Sequence, residues 1–129
     1  MPRKDPMTRT RASARAAGAR FERQIADWLA HHLDDRIDRR VKTGAKDRGD
    51  IGGIRHRGHR VVLELKDTAR TDLAGWIHEA HLEAGNDDAA IGVVVHKRRG
   101  TTDPAQQWVH MTLADLAWLL GADHPTYDE

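Results

Sequence analysis

Asp50, thirteen intervening residues and then Glu64-Leu65-Lys66 form the stretch of this sequence whose residue types and spacing best suit catalysis. If the chain turns back through a three-residue loop at His56 to Gly58, Asp50 falls directly opposite Glu64 on one face of a hairpin. A two-residue loop would slip the pairing by one residue and make the meeting poorer. In the favourable register the two carboxylates lie about 5 Å apart at Cβ, with Lys66 about 7 Å further along the strand. Two acids that close do not both ionise cheaply unless positive charge sits between them. Lys66 answers this in part, and a divalent cation answers it better. Magnesium takes oxygen ligands at about 2.0–2.1 Å and binds through one or two carboxylates plus substrate phosphate. Gly52 and Gly53 follow Asp50 and carry no side chains, which would leave room for a phosphate backbone. A third acid, Glu22, lies between Leu29 and Leu33 on a helical wheel of about 100° per residue, inside or at the edge of the apolar arc.

The elements that must position these groups follow from periodicity. Residues 13–33 carry a helical pattern (Ala14, Gly18, Phe21, Ile25, Trp28, Leu29, Leu33). Residues 36–42 suit a short strand, and 43–50 a loop rich in glycine and charge. Residues 50–54 and 59–66 read as two strands around a turn at Arg57-Gly58. In the second, a period of two puts Val61, Leu63 and Leu65 on one face, and Val62, Glu64 and Lys66 on the other. A helix is expected after Thr71 through about Ala84, with Leu73, Trp76, Ile77 and Ala80 inward and Gly85 as its cap. Strands are expected at 89–95 and 107–111, separated by a basic loop. Thr112, with Asp115 three residues on, resembles a capping box opening a last helix to Leu120, ended by Gly121. The order α-β-β-β-α-β-β-α predicts an α/β fold with a mixed sheet.

The chain of 129 residues suits one domain, 13–121, between a basic arm (1–12) and a C-terminal tail (122–129). No apolar run is long enough for a membrane span, which needs about 20 residues. The absence of cysteine excludes disulfides, a thiolate nucleophile and zinc-thiolate clusters, and is compatible with a reducing, cytoplasmic setting. The net charge of +1 conceals an asymmetry: residues 1–20 hold six basic side chains against Asp5, a charge of +5, leaving −4 for the remainder. A basic arm ahead of a mildly acidic body suggests a polyanionic partner. Arginine outnumbers lysine 16 to 5, which suits bidentate phosphate binding, although coding bias would produce the same excess. The candidate phosphate contacts are Arg15, Arg23, Arg40, Lys42, Lys46, Arg48 and the dense cluster Lys97, Arg98 and Arg99. Asp47 has a reading as a metal ligand and a blander one as a solvated loop residue. His78 and His81 lack a third ligand at zinc spacing. Trp28, Trp76, Trp108 and Trp118 are expected in the core or a dimer interface, leaving no aromatic platform for single strands.

Asp50 with Glu64-Leu65-Lys66 resembles the bipartite signature of the PD-(D/E)xK nuclease superfamily. With Glu22 in Phe21-Glu22-Arg23 before it, the whole is similar to Holliday junction resolvases of the archaeal and phage type, over about residues 17–120. Gly49 stands where the superfamily often has proline. The polar residue often found on the helix after ExK has only His78, Glu79 and His81 as candidates. The resemblance implies a restriction-endonuclease-like core and Mg²⁺, with Mn²⁺ as a substitute, held by Asp50, Glu64 and the Leu65 carbonyl. It implies that Glu22 holds metal directly, through water or at a second position, and that Lys66 orients and helps deprotonate the attacking water. It further implies a homodimer cutting four-way DNA junctions to leave 5′-phosphates. A nickase or flap nuclease with the same site, and a catalytically silent DNA-binding module, remain alternatives.

Overall fold

The computed structural model describes residues 10–41 and 47–127. Lys42, Lys46 and most of the basic arm lie outside the described residues. The first helix, α1 (Arg11–His32), starts two residues earlier than its apolar pattern suggests, because the Thr10 hydroxyl caps it by accepting the Ser13 N–H at 3.1 Å. Its buried stripe is Ala17, Phe21, Ile25 and Ala26, whereas Leu33 is exposed.

Next come β1 (Asp38–Arg39), β2 (Ile51–Gly52), β3 (Arg55–His56) and β4 (His59–Lys66). The loop between β3 and β4 has two residues, Arg57 and Gly58, both at positive φ, as a tight hairpin turn of the I′ kind requires. The expected three-residue loop is therefore not present. The favourable register arises in another way. Arg55 pairs with Arg60 but Ile51 pairs with Leu63, so one extra residue sits between β2 and β3. This bulge, at Gly53-Ile54, restores the slipped register and sets Asp50, one step before Ile51, across from Glu64. Gly53 has φ +88° and a Cβ there would stand 2.6 Å from the Arg36 carbonyl oxygen, so only glycine fits. Gly52 abuts the Arg40 guanidinium. The two glycines thus permit close packing against residues 36–40 and do not open a path for phosphate.

After β4 the chain crosses through α2 (Leu73–Asn86) to β5 (Ile91–His96), which lies parallel to β4. A short 3-10 turn (Pro104–Gln106), the edge strand β6 (Trp108–His110) and α3 (Leu113–Leu119) complete the described chain. The sheet order is β1-β2-β4-β5-β6, with β4 and β5 parallel and the other pairs antiparallel. Among the described residues the fold is therefore α/β with a mixed sheet and three α-helices. Val61, Leu63 and Leu65 pack with Phe21 and Ile25 of α1, while Val94 packs with Trp76 and Ala80 of α2 on the other face. Each such side chain withdrawn from water contributes about 1.5–3 kcal/mol.

α2 is capped by Asp72, not Thr71, and continues past Gly85 to Asn86, with Asp88 taking the left-handed conformation beyond it. Leu73 is exposed, and the buried stripe is Trp76, Ala80, Glu83 and Ala84. At Gly92 of β5 a Cβ would meet the Ala80 carbonyl oxygen at 2.1 Å, so this glycine lets α2 lie close on the sheet. Thr112 caps α3 through the Asp115 N–H as expected. The Asp115 carboxylate, fully buried, takes a different role from a capping box: it binds His81 Nε2 at 3.0 Å and the Tyr127 hydroxyl at 2.7 Å. Tyr127 stacks on His81, so the segment after α3 is fastened over α2. Among the described residues no helix is long and apolar enough to cross a membrane.

Candidate functional site

β4 and α2 build the chemically notable site. Because side chains alternate along β4, Glu64 and Lys66 emerge on the α2 face, at the strand's C-terminal end. On α2, Glu79 and Glu83 are four residues apart and therefore share one side of the helix. Asp47 approaches from the loop before β2, which is held by the Asp47 side chain accepting the Gly49 N–H (3.0 Å) and by its carbonyl accepting from Asn86 Nδ2 (2.8 Å). Asp47, Glu64, Glu79 and Glu83 each offer a carboxylate oxygen, and these oxygens all lie within 4.8 Å of one another. Lys66 Nζ donates to Glu79 at 2.8 Å and stands 3.4 Å from Glu64 Oε1.

Burial makes this group unusual. Glu83 is 2% exposed, and apart from each other's carboxyl group neither of its oxygens nor Glu64 Oε2 has a hydrogen-bond partner. A buried acceptor left unmade costs about 1–3 kcal/mol, more when charged. Burial above all pushes Glu64 above the usual carboxylate range. Burial first, and then the hydrogen bond to Glu64 and its charge, push Glu83 further the same way. Burial works against the Lys66 ammonium, but the hydrogen bond to Glu79 and the charge of Glu64 outweigh it, so its pKa stands above lysine's ordinary value. Lys66 is thus held as a charged donor between two carboxylates. The all-oxygen donor set and its orphaned, buried oxygens fit a hard divalent cation.

Of the expected acids, only Glu64 belongs to this group. Asp50 is 7% exposed, and its Oδ2 accepts the Leu65 N–H at 2.8 Å, tying the loop to β4 beside Glu64. Glu22 lies elsewhere: α1 packs on the face opposite α2, and the Glu22 carboxylate accepts from Arg39 at 2.9 Å. It is half-buried at the rim of the helix's apolar arc and lines a surface groove, and a wheel does not say which side of the sheet a helix covers. Leu65, as a β4 residue, adjoins the site through its backbone. Gly49 has φ +94° and donates its N–H to Asp47, two things proline cannot do.

The polar contact expected from the second helix is supplied by Glu79, one of the three candidates, and by Glu83, which the sequence reading passed over. Glu83 follows Trp76 and Ala80 at helical spacing on an otherwise apolar stripe, the same signal that singled out Glu22.

The basic residues divide into paired and open ones. Arg23 pairs with Asp27 and Asp38, and Arg40 with Asp87 and the Arg48 carbonyl. Arg15 lines a surface groove with Arg23, Arg39 and Arg40. Arg48 and Arg99 are exposed; Lys97 lies over the Phe21 ring, and Arg98 over Trp108. Trp76 and Trp118 are buried as expected, but Trp108 is 46% exposed. Compared with protein-family models, with curated proteins and with solved structures, the chain matches none.

Proposed function

We propose that this protein is a Mg²⁺-dependent endonuclease that hydrolyses phosphodiester bonds in branched DNA, on a restriction-endonuclease-like core and as a homodimer. The observation that carries the reading is the meeting of Glu64 and Lys66 with Asp47, Glu79 and Glu83, orphaned buried oxygens included. Carboxylates converging at a strand end beside a lysine suit a cation and a phosphate together, and Arg98 and Arg99, just beyond the end of the adjacent parallel strand, suit a polyanion. Mg²⁺ held by Glu64 and its acidic neighbours, with Mn²⁺ able to replace it, would supply charge neutralisation at the phosphate and a lowered pKa for water.

The chain's own residues supply the rest. Lys66, kept charged by Glu79 and Glu64, holds either the attacking water or a non-bridging phosphate oxygen. Asp50 keeps Leu65, and with it Glu64 and Lys66, in register with the incoming loop. Water attacks phosphorus and gives up a proton to solvent, the bond from phosphorus to the 3′-oxygen breaks, that oxygen takes a proton from solvent, and the product carries a 5′-phosphate.

The test is incubation of the purified chain with a labelled immobile four-way junction, a flap and a linear duplex, in Mg²⁺ and in EDTA. Incision of the junction only in Mg²⁺ is the expected result. Binding without cleavage of any DNA would leave the silent binding module as the better reading, and equal cutting of linear duplex would remove branch selectivity. Glu64→Gln and Lys66→Met should each lower incision at least about 100-fold, in line with loss of a preorganised charged group, while junction binding in EDTA persists.

A further inference from the structure

Trp108 is the exposed exception among tryptophans of which two, Trp76 and Trp118, are buried to 7% and 1% exposure. Its position in the sheet relates it to the candidate site. Lys66 is in register with His96 on β5, and His96 with Trp108 on β6. Neighbours in register on adjacent strands point to the same face, so the three side chains form a row running from the carboxylates to the sheet edge. His96 makes an edge contact with Trp76 of α2, which identifies that face as the one carrying Glu64. At about 4.8 Å per strand, Trp108 stands roughly 10 Å from Lys66, the axial length of about three stacked nucleotides.

The Arg98 guanidinium lies over the Trp108 ring, 4.4 Å from its centroid. The backbone beneath it is braced. The Arg98 N–H donates to Gln107 Oε1 at 2.6 Å, and Gln107 Nε2 donates to the carbonyls of Thr101 and Asp103, bracing the basic loop against β6. Arg99, exposed, adds a further charge to the same loop, whereas Lys97 turns to the other face over Phe21.

We propose that Trp108, with Arg98 over its ring, is a stacking platform for an unpaired base of the bound DNA. This rests on reading the chain as a DNA-processing enzyme and names the feature of DNA that it would select. A base offers its flat face only where it has left the stack, as at a branch point, a flap junction or a nick, and a linear duplex hides that face. Indole and guanidinium are the side chains on which free bases stack, without regard to sequence. Charge favours DNA over a second copy of the chain as the occupant, since two such patches facing one another would oppose Arg98 and the neighbouring Arg99 with their own kind.

The test uses the full chain in EDTA, so that binding is read without incision. The DNAs are a four-way junction with 2-aminopurine at the branch and a linear duplex with the same probe. Trp108→Leu should weaken junction binding about 5- to 150-fold, the range for loss of one base–aromatic stack, and change duplex binding by less than about 2-fold. Trp108→Phe should keep most of the affinity, and wild-type binding should quench the branch-point probe while Trp108→Leu should not. Equal losses on both DNAs, no loss on either, or no binding by the wild type would each overturn the platform. So would a fall in the sedimentation mass of free Trp108→Leu, which would make Trp108 a seat for a second copy. Wild-type incision in Mg²⁺ is measured alongside: selective loss of junction binding in a chain that cuts nothing would sink the nuclease reading and leave the platform standing.

Discussion

Replacing Glu83 by glutamine separates a cation-dependent carboxylate cluster from an ordinary buried polar group. Glu83 is 2% exposed and both its oxygens are orphaned beside Glu64, itself with an orphaned oxygen. Without a cation this costs about 1–3 kcal/mol. For 129 residues, about 2.1 cal/mol/K per residue gives an unfolding entropy near 0.27 kcal/mol/K, so 1 kcal/mol moves Tm by about 4 °C. A carboxamide has nearly the same shape, does not ionise, and can donate to Glu64. In EDTA at neutral pH, Glu83→Gln should therefore raise Tm by about 4–12 °C. Mg²⁺ at a hundred times its dissociation constant should add about 2.7 kcal/mol, or about 10 °C, to the wild type. A tenfold loss of affinity in the variant would reduce that increment to about 5 °C or less. The sign with pH follows from the raised pKa of Glu83 in the folded protein. Its contribution is fully present below the unfolded carboxylate value of 4.5 and is lost as pH rises toward the folded value. Wild-type Tm in EDTA should consequently fall from pH 5 to pH 9, and the variant should fall less. Differential scanning calorimetry reads all of these quantities. An unchanged EDTA Tm together with an undiminished Mg²⁺ increment would refute the reasoning.

Other perturbations address the frame around the site. Glu22→Gln should retain the whole Mg²⁺ increment and alter stability by less than about 1 kcal/mol, because only its exposed pair with Arg39 is lost; disappearance of the increment would make Glu22 a cation ligand after all. Gly92→Ala should cost about 1–3 kcal/mol in urea unfolding, since its methyl group would stand 2.1 Å from the Ala80 carbonyl oxygen. By moving α2 off β5 it should also weaken Mg²⁺ binding in calorimetric titration, and unaltered affinity would show that the placement of Glu79 and Glu83 tolerates that shift. Tyr127→Phe removes one hydroxyl that donates to buried Asp115 and accepts the Gly92 N–H. It should lower stability by about 1–3 kcal/mol, and a variant as stable as the wild type in urea would show that the final segment does not fasten α2.

The α/β order, the two faces of β4 and the Thr112 cap were legible in the sequence because each depends on residues close together in the chain. The turn chemistry of Arg57-Gly58 was legible too, but it implied the poorer register, and the bulge at Gly53 that corrects it depends on contact with Arg36, which no local pattern reveals. Glu64 and Lys66 were recoverable as site residues from a strand's period of two. Glu22 was misplaced because helical periodicity assigns an inward face without assigning a side of the sheet. Glu83 carried a readable signal, a carboxylate on an apolar stripe, which acquires meaning only once α2 is known to cover Glu64.

The sequence by itself determined which residues form strands and helices, that Glu64 and Lys66 share a face, and that no cysteine chemistry is available. Those facts rest on short-range periodicity and on residue type. Only the tertiary structure decided that Asp47, Glu79 and Glu83 join Glu64, that Asp50 braces Leu65, that Glu22 pairs with Arg39, and that Trp108 stays in solvent. Each of those outcomes depends on how far and on which side one element packs against another, and that is set by the close approach of α2 to the sheet at Gly92 and of β2 to residues 36–40 at Gly53.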